Sequence, residues 1–365
     1  MKNKKILLLF LISTLSQFPL SMIRFIIPIY AKNIGANLFI LGMMGSAYGL
    51  VYILLAAYFG RISEKFGHRK MIFLGLLIYA LVILIYPFIK DPFYLIFIRG
   101  GEAVGMAMVW PSIEAFSQFA NGERLEHSIM VYTLSWSIAA SIAPYTGALF
   151  IHDFLMAILI IFLITIFGSF ISYFIPYKYN ISIQVNKKDV NLSYEILIPI
   201  FIYGFNSSVI LSFYPAFGTT INLGAYGSGI IMMFSGAFMV LAFILSGIFF
   251  HKIDNSYTLI LGLILQFFLF SVAWYHGFYA QLVSMSLIYF GEGLIYFNVL
   301  LNIVNSFPKN VGYKTGLFES SIGLGSIFFP LIGGLPSTLG YDFPWLVSFT
   351  VSFIIFVIYL IHLIT

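Results

Sequence analysis

Apolar stretches of about twenty residues follow one another along almost the whole of this chain, parted by short polar breaks, and that is the length an α-helix needs to cross a bilayer. The spacing predicts spans near residues 5–31, 37–60, 70–89, 92–118, 127–151 and 154–176. A second set is predicted near 194–218, 226–250, 257–275, 278–306, 313–338 and 342–364. Only 8% of the residues are charged, against roughly 25% in a soluble domain, so the solvent of this chain is lipid. The first apolar run follows Met1-Lys2-Asn3-Lys4-Lys5 in the manner of a signal peptide. It continues to Tyr30 without a small-x-small cleavage site and reads as a retained helix. The absence of cysteine excludes disulfides and thiolate metal sites.

The two sets of spans carry the same punctuation. Gly42, Gly49, Gly60 and Pro144 recur 186 or 187 residues later as Gly229, Gly236, Gly247 and Pro330, and Gly60-x-x-x-Glu64-Lys65 returns as Gly247-x-x-x-His251-Lys252. A parallel repeat of membrane helices with a site between the halves is a common transporter build. The expected fold is therefore an all-α membrane protein of twelve helices in two pseudo-symmetric six-helix bundles. The bundles would be residues 1–176 and 194–365, joined by the polar linker 177–193. With the N-terminus inside, the loop cations fall almost wholly on inner loops and leave Lys32 and Lys90 outside. The positive-inside rule then puts both termini in the cytoplasm. The net charge of +5 is spread over those loops and marks topology rather than a nucleic-acid surface.

The segment Gly60-Arg61-Ile62-Ser63-Glu64-Lys65-Phe66-Gly67-His68-Arg69-Lys70 resembles the signature loop of the major facilitator superfamily, Gly-x-Leu-Ala-Asp-Arg-x-Gly-Arg-Lys. Glu64 stands for Asp, Ile62 for Leu, and His68 for the first basic residue of the closing pair. The resemblance implies a conformational gate, with Gly60, Lys65 and Gly67 in the loop. Glu64, helped by Arg61 or Arg69, would latch the inner face against the N-terminus of the eleventh helix, where a carboxylate meets unpaired N–H groups. Arg99-Gly100-Gly101-Glu102-Ala103-Val104-Gly105 resembles the family's Arg-x-x-x-Gly-x-Gly segment, with Gly291-Glu292-Gly293 as its counterpart in the tenth span. Ala139-x-x-x-Ala143-Pro144-x-x-Gly147-Ala148 is similar to the family's antiporter motif, and Gly325, Pro330, Gly333 and Gly334 repeat it in the eleventh span. Small residues there allow close helix packing, and ordinary packing is the other reading of the motif. The resemblance covers essentially the whole chain and leaves the substrate open.

A charge in the bilayer core costs at least about 3 kcal/mol unless paired or wetted, so ionisable residues inside spans are candidates for function. Here they are Arg24, Arg99, Glu102, Glu114, Glu292 and Glu319. Carboxylates buried without a counter-charge tend to take up protons, which is the chemistry of a proton-coupled carrier. Glu292, near the middle of its span, and Glu319 lack a local cation and stand first as proton carriers. Glu102 lies three residues beyond Arg99 on the same helix face and is either a proton carrier or that arginine's partner. Glu114 is either a proton carrier or an interfacial group that meets water. Arg24 either balances one of these acids or receives an anionic substrate.

Neutral polar residues outline an expected cavity. Asn298, Asn302 and Asn305 share one stripe of the tenth span, and Tyr289, Glu292 and Tyr296 another. Gly204, Asn206, Ser207 and Ser208 cluster in the seventh span, where members of the family often break the helix to coordinate substrate. Gln17 lies at a comparable depth in the first. The 41 Phe and 24 Tyr residues exceed what interfacial belts need, so aromatics, Trp110 among them, are expected on the wall. Such walls beside carboxylates suit moderately apolar or cationic solutes.

No Gly-x-x-x-x-Gly-Lys-Ser/Thr phosphate loop occurs, which disfavours primary pumping. His-Glu-x-x-His and Gly-x-Ser-x-Gly are absent, and no enzyme is expected. The expected function is secondary, proton-coupled transport by alternating access, as an efflux antiporter of lipophilic or cationic compounds. Proton symport or exchange of a sugar, amino acid or organic anion is the alternative, and a non-transporting membrane sensor or scaffold is the alternative of a different class. The expected partners are a small-molecule substrate, protons and the lipid bilayer of the plasma membrane. No nucleic acid, metal or cofactor is expected, and the expected working unit is a monomer.

Overall fold

The computed structural model describes residues 2–120, 125–176, 194–249, 255–306, 318–327 and 340–364. Its helices in chain order are α1 (Lys2–Asn33), α2 (Leu38–Phe66), α3 (His68–Ile83), α4 (Leu95–Ala120), α5 (Leu125–Leu149) and α6 (Phe154–Ser172). There follow α7 (Tyr194–Thr220), α8 (Gly224–Phe249), α9 (Asn255–Leu265), α10 (Leu269–Trp274), α11 (Phe278–Ser306), α12 (318–327) and α13 (Phe343–Ile364). A 3₁₀ turn at Gln266–Phe268 joins α9 to α10. The expected linker 177–193 lies outside the described residues, as do Pro330, Gly333 and Gly334.

Ten helices among the described residues are long and apolar enough to cross a membrane. The fifth expected span is a helix, α5, but is not among the ten. Its sequence is diluted by Ser128, Thr133, Ser135, Ser137 and Ser141, all of them buried. It packs along α1 on one side and α8 on another, so much of its surface meets protein, and its hydroxyls bond within the helix or across to α8. Ser135 donates to the Tyr132 carbonyl, and Ser141 to the Met233 carbonyl of α8 at 2.6 Å. The eleventh expected span is described only through α12.

Close approach between helices is set by glycine. A Cβ on Gly75 of α3 would stand 2.6 Å from the Gly105 carbonyl of α4, and one on Gly105 would stand 2.6 Å from the Gly75 carbonyl. The same reciprocal crossing joins α9 and α11, where a Cβ on Gly291 would stand 2.7 Å from the Gly262 carbonyl and one on Gly262 3.0 Å from the Gly291 carbonyl. These two pairs are related by the offset of the sequence repeat. The counterpart of Gly291 is therefore Gly105, so Gly291-Glu292-Gly293 stands about one helical turn beyond the Gly100-Gly101-Glu102 segment with which the motif pairs it.

Helices before and after 177–193 also meet closely. A Cβ on Gly236 of α8 would stand 2.6 Å from Ser141 Cα of α5, and one on Gly49 of α2 3.2 Å from the Ser326 carbonyl carbon of α12. Ser46 of α2 donates to the Ile327 carbonyl of α12 at 2.7 Å. Gly147 holds α5 against Phe25 and Ile26 of α1, and Pro144 is buried at the α5–α8 contact. Helix α7 runs unbroken through Gly204 to Ser208, which corrects the implied break: Gly204 serves instead to bring the α7 backbone against Ile322 of α12.

Adding a methyl group at a backbone-to-backbone crossing forces the helices apart, and overpacking of this kind costs about 1–3 kcal/mol. Gly105→Ala should lower the melting temperature of the purified protein. Gly277→Ala, at a position with nothing within 4 Å, should leave it unchanged. Equal melting temperatures for the two variants would refute the crossing as a packing constraint.

Candidate functional site

A cavity of about 180 Å³ lies between α1, α2, α4, α5, α7, α11 and α12. Helix α1 contributes Gln17, Leu20, Arg24 and Pro28, whose spacing of three or four residues keeps them on one face. Serines of α7 (Ser207, Ser208 and Ser212) lie across from aromatic walls built in three other helices. Trp136 of α5 packs edge-on to Tyr296 of α11 at 5.3 Å, Tyr203 of α7 lies 5.3 Å from Tyr296, and Trp110 of α4 lies 6.4 Å from Tyr132 of α5.

Two polar loci adjoin this wall. At the first, the Tyr48 ring of α2 has the Arg24 guanidinium carbon 4.9 Å and the Arg99 guanidinium carbon 5.0 Å from its centroid. Arg99 is paired with Glu102, whose other oxygen accepts from the Tyr86 hydroxyl at 2.5 Å. At the second, the Glu114 carboxyl of α4 and the Glu319 carboxyl of α12 lie next to each other. Tyr132 donates to Glu114 at 3.1 Å and Tyr52 to Glu319 at 3.4 Å. A carboxylate can only accept, so two neighbouring carboxyls bond to one another only when they share a proton. Tyr48 and Tyr52, one turn apart on α2 with ring centroids 6.0 Å apart, connect the two loci.

The sequence-predicted residues divide by position. Gln17, Arg24, Arg99, Trp110, Ser207, Tyr296 and Glu319 line the cavity. Glu102 and Glu114 lie directly behind it, beside Arg99 and Glu319; Glu114 is thus buried, not interfacial. Glu292 is 1% exposed, is not on the cavity wall, and its Oε1 has no partner among the described residues. Asn206 turns away from the cavity, donating to Gln266 at 3.1 Å and to Ser352 of α13 at 2.9 Å. Asn298 donates to Ser246 of α8 at 3.2 Å and to its own helix at the Leu294 carbonyl. Tyr289 and Asn302 are half-buried and lie off the cavity wall, and the side chain of Asn305 is outside the described residues. Gln266 of the 3₁₀ turn also donates to the carbonyls of Gly262 and Ile288, so the Asn206 group ties together four helices.

Sequence reasoning missed Tyr48, Tyr52, Tyr132, Trp136 and Tyr203. Their signal was available as two aromatic pairs at i and i+4, Tyr48/Tyr52 and Tyr132/Trp136, which put two rings on one face of α2 and of α5.

The ends of the helices carry further contacts. Lys32, at the end of α1, donates to Thr219 at 2.5 Å and to the Ala216 carbonyl at 3.4 Å in the last turn of α7, and lies 5.5 Å from the centroid of the Tyr341 ring. A cation there meets the negative end of the helix dipole. The Tyr145 and Tyr226 hydroxyls of α5 and α8 bond at 2.7 Å. In the motif at 60–70, residues Gly60 to Phe66 continue α2, and Gly67 alone makes the turn with φ 91°. Its amide donates to the Ser63 carbonyl. Arg61 and Lys65 are exposed, and the Arg69 guanidinium stacks 4.3 Å over Tyr173 of the segment after α6. The Glu64 side chain and the residues just before α12 lie outside the described residues.

A family model described as Major Facilitator Superfamily matches residues 9–311. The multidrug resistance protein MdtG of Salmonella schwarzengrund is 23% identical over 154 residues, which is 40% of this chain and 38% of that protein. The multi-drug resistance efflux pump PmrA homolog of Lactococcus lactis is 28% identical over 118 residues, 31% of this chain and 29% of that protein. The aligned part thus spans well under half the length of these relatives. A crystal structure of a mutant of the nucleoside transporter NupG superimposes with a TM-score of 0.78 at 14% identity, covering 98% of this chain and 99% of that one. At that identity the likeness speaks for the fold alone.

The Asn206 group makes a prediction that separates packing from solute contact. Asn206→Ala should destabilise the protein by about 1 kcal/mol, the scale of an interhelical hydrogen bond in a membrane protein. It should leave solute binding in the cavity unchanged, while Ser207→Ala should leave stability unchanged. Thermal unfolding with and without a cavity ligand reads both; altered binding in Asn206→Ala at unchanged stability would overturn the assignment.

Proposed function

The chain belongs to the major facilitator superfamily and is a multi-pass protein of the plasma membrane, and on that premise we propose that it is a proton-coupled exporter of small lipophilic compounds. The central cavity is the solute site. The Glu114–Glu319 contact is the proton site. In this reading residues 1–176 and 194–365 are two six-helix halves joined by 177–193, with both termini in the cytoplasm, and they rock about the cavity as a single copy.

The observation that carries the reading is the approach of the two carboxyls, which come from helices on either side of 177–193 and each accept from a tyrosine hydroxyl. With the proton in place they attract. Without it, two like charges face each other in a medium of low dielectric and repel. Loss of one proton therefore favours separation of α4 from α12. Lys32 and its partners on α7, with the Tyr145–Tyr226 contact, form a second attachment between the same two sets of helices. Alternating access would exchange one attachment for the other.

Export is supported by the multidrug names of the sequence relatives and by the buried Pro144 and Gly147 of the antiporter-like motif. Lipophilic solutes are supported by the aromatic wall. Cationic solutes have weaker support, since both carboxyls at the second locus are already engaged with each other and with tyrosine hydroxyls.

The test uses proteoliposomes with an imposed pH gradient and neutral para-tert-butylbenzamide as solute. Wild-type protein should move solute against the inward flow of protons. Glu319→Gln, which keeps a neutral hydrogen bond but cannot release a proton, should lose at least about tenfold of the driven flux and keep solute exchange at equilibrium. Glu292→Gln, off the cavity wall, should keep both. Unchanged driven flux in Glu319→Gln would remove the carboxyl pair from the mechanism.

A further inference from the structure

We propose that the cavity holds a subsite for a single anionic head group, centred on the Arg24 guanidinium, so that the preferred solutes are lipophilic monocarboxylates. The proposal rests on reading the cavity as the transport site and adds to it the class of solute.

The charges of the first locus do not balance. Two guanidinium groups share the Tyr48 ring, and one carboxylate, Glu102, stands behind them. Glu102 is fully buried and engaged on both oxygens, by Arg99 and by the Tyr86 hydroxyl. Arg24 lies over the Tyr48 ring and, among the described residues, makes no ion pair. A guanidinium does not lose its proton in a protein, so Arg24 cannot be neutralised as a buried acid or lysine would be. It stays half-buried on the cavity wall with donors to offer. No carboxylate of this locus is left to answer that charge, and a solute anion at the wall can.

The chemistry of the missing group follows from its surroundings. A planar guanidinium fork matches a carboxylate with two parallel hydrogen bonds. One excess positive charge calls for a monoanion. Gln17, two turns away on the same face of α1, adds a neutral polar group, and Tyr203, Trp136 and Tyr296 offer rings to the body of the solute. A cation fares worse in the same space, for Glu319 is committed to Glu114 and Tyr52.

The experiment titrates purified full-length protein by calorimetry with three solutes of one shape, para-tert-butylbenzoate, para-tert-butylbenzamide and para-tert-butylbenzylammonium. The benzoate should bind about tenfold or more tightly than the amide, as expected for one charge-assisted hydrogen bond, and the ammonium compound more weakly than either. Arg24→Gln should bring benzoate down to the affinity of the amide, and Arg24→Lys should restore part of the difference. Amide binding by Arg24→Gln reports that the cavity is intact, and the wild-type order of affinities tests the proposal even if that variant does not fold. An amide or ammonium preference in the wild type, a benzoate preference kept by Arg24→Gln, or no binding of any of the three at millimolar concentration would overturn it. Proton-driven flux of para-tert-butylbenzamide by a protein that shows no benzoate preference would sink the subsite and leave the exporter standing. Selective benzoate binding without any driven flux would do the reverse.

Discussion

A charge inside a bilayer has no water to turn to, and the arrangement of ionisable side chains in this protein is a set of answers to that constraint. Arg99 and Glu102 neutralise one another, three residues apart on α4, with Tyr86 completing the carboxylate's bonds. Glu114 and Glu319 stand side by side, with a tyrosine hydroxyl on each. Tyrosine is the recurrent second partner because its ring packs as a hydrophobe while its hydroxyl reaches a charge. What remains is one guanidinium, Arg24, at the cavity, and one unpartnered carboxyl oxygen, Glu292 Oε1, away from it. The cavity lies where helices on both sides of 177–193 converge, and the polar groups that cannot face lipid are gathered there.

Helix packing places those groups. The reciprocal glycine crossings of α3 with α4 and of α9 with α11 bring backbone against backbone, and they fix α4 and α11, which carry Arg99, Glu102, Glu114 and Tyr296. Contacts between α5 and α8, or α2 and α12, instead set glycine against serine or alanine and add single side-chain bonds such as Ser46 to Ile327 and Ser141 to Met233. Each of those bonds ends on a carbonyl of a helix that is already internally bonded, so it can be given up without leaving a buried donor in the helix ladder. This difference in chemistry suits a molecule whose inner crossings stay rigid while the outer ones change, the division of labour that the proposed mechanism requires.

How much of this was legible in the sequence depended on whether the signal was local. Span positions were legible because apolar length is local, and α5 could be placed from its glycine and proline punctuation although serine and threonine depress its hydropathy. The Arg99–Glu102 pair was legible as one of two readings because both residues sit within one turn. Glu114 and Glu319 were legible only as separate acids: they are 205 residues apart, and no spacing rule reaches across that distance. Asn206 and Asn298 were read as cavity residues because an asparagine that ties helices together looks, in a sequence, like one that meets a solute. The register of Gly291 failed for a related reason. Gly-Glu recurs in α4 and α11, but the helices cross at Gly105 and Gly291, and only a packed structure says which glycine bears the contact.

The two loci sit one turn of α2 apart, joined by Tyr48 and Tyr52, and that spacing links the charge of the solute to the sense of proton movement. With one proton shared by Glu114 and Glu319, the pair carries one negative charge and Arg24 one positive charge, and the cavity is balanced. A neutral lipophilic solute leaves that balance alone, so it competes with the proton only through space and through the tyrosines, as an antiporter requires. An anion at Arg24 tips the balance negative and favours a second proton on the pair, so solute and proton would travel together. The same cavity therefore supports export of neutral compounds and co-movement of acids with protons. Arg24 decides between them by whether its charge is answered from within the protein or by the solute.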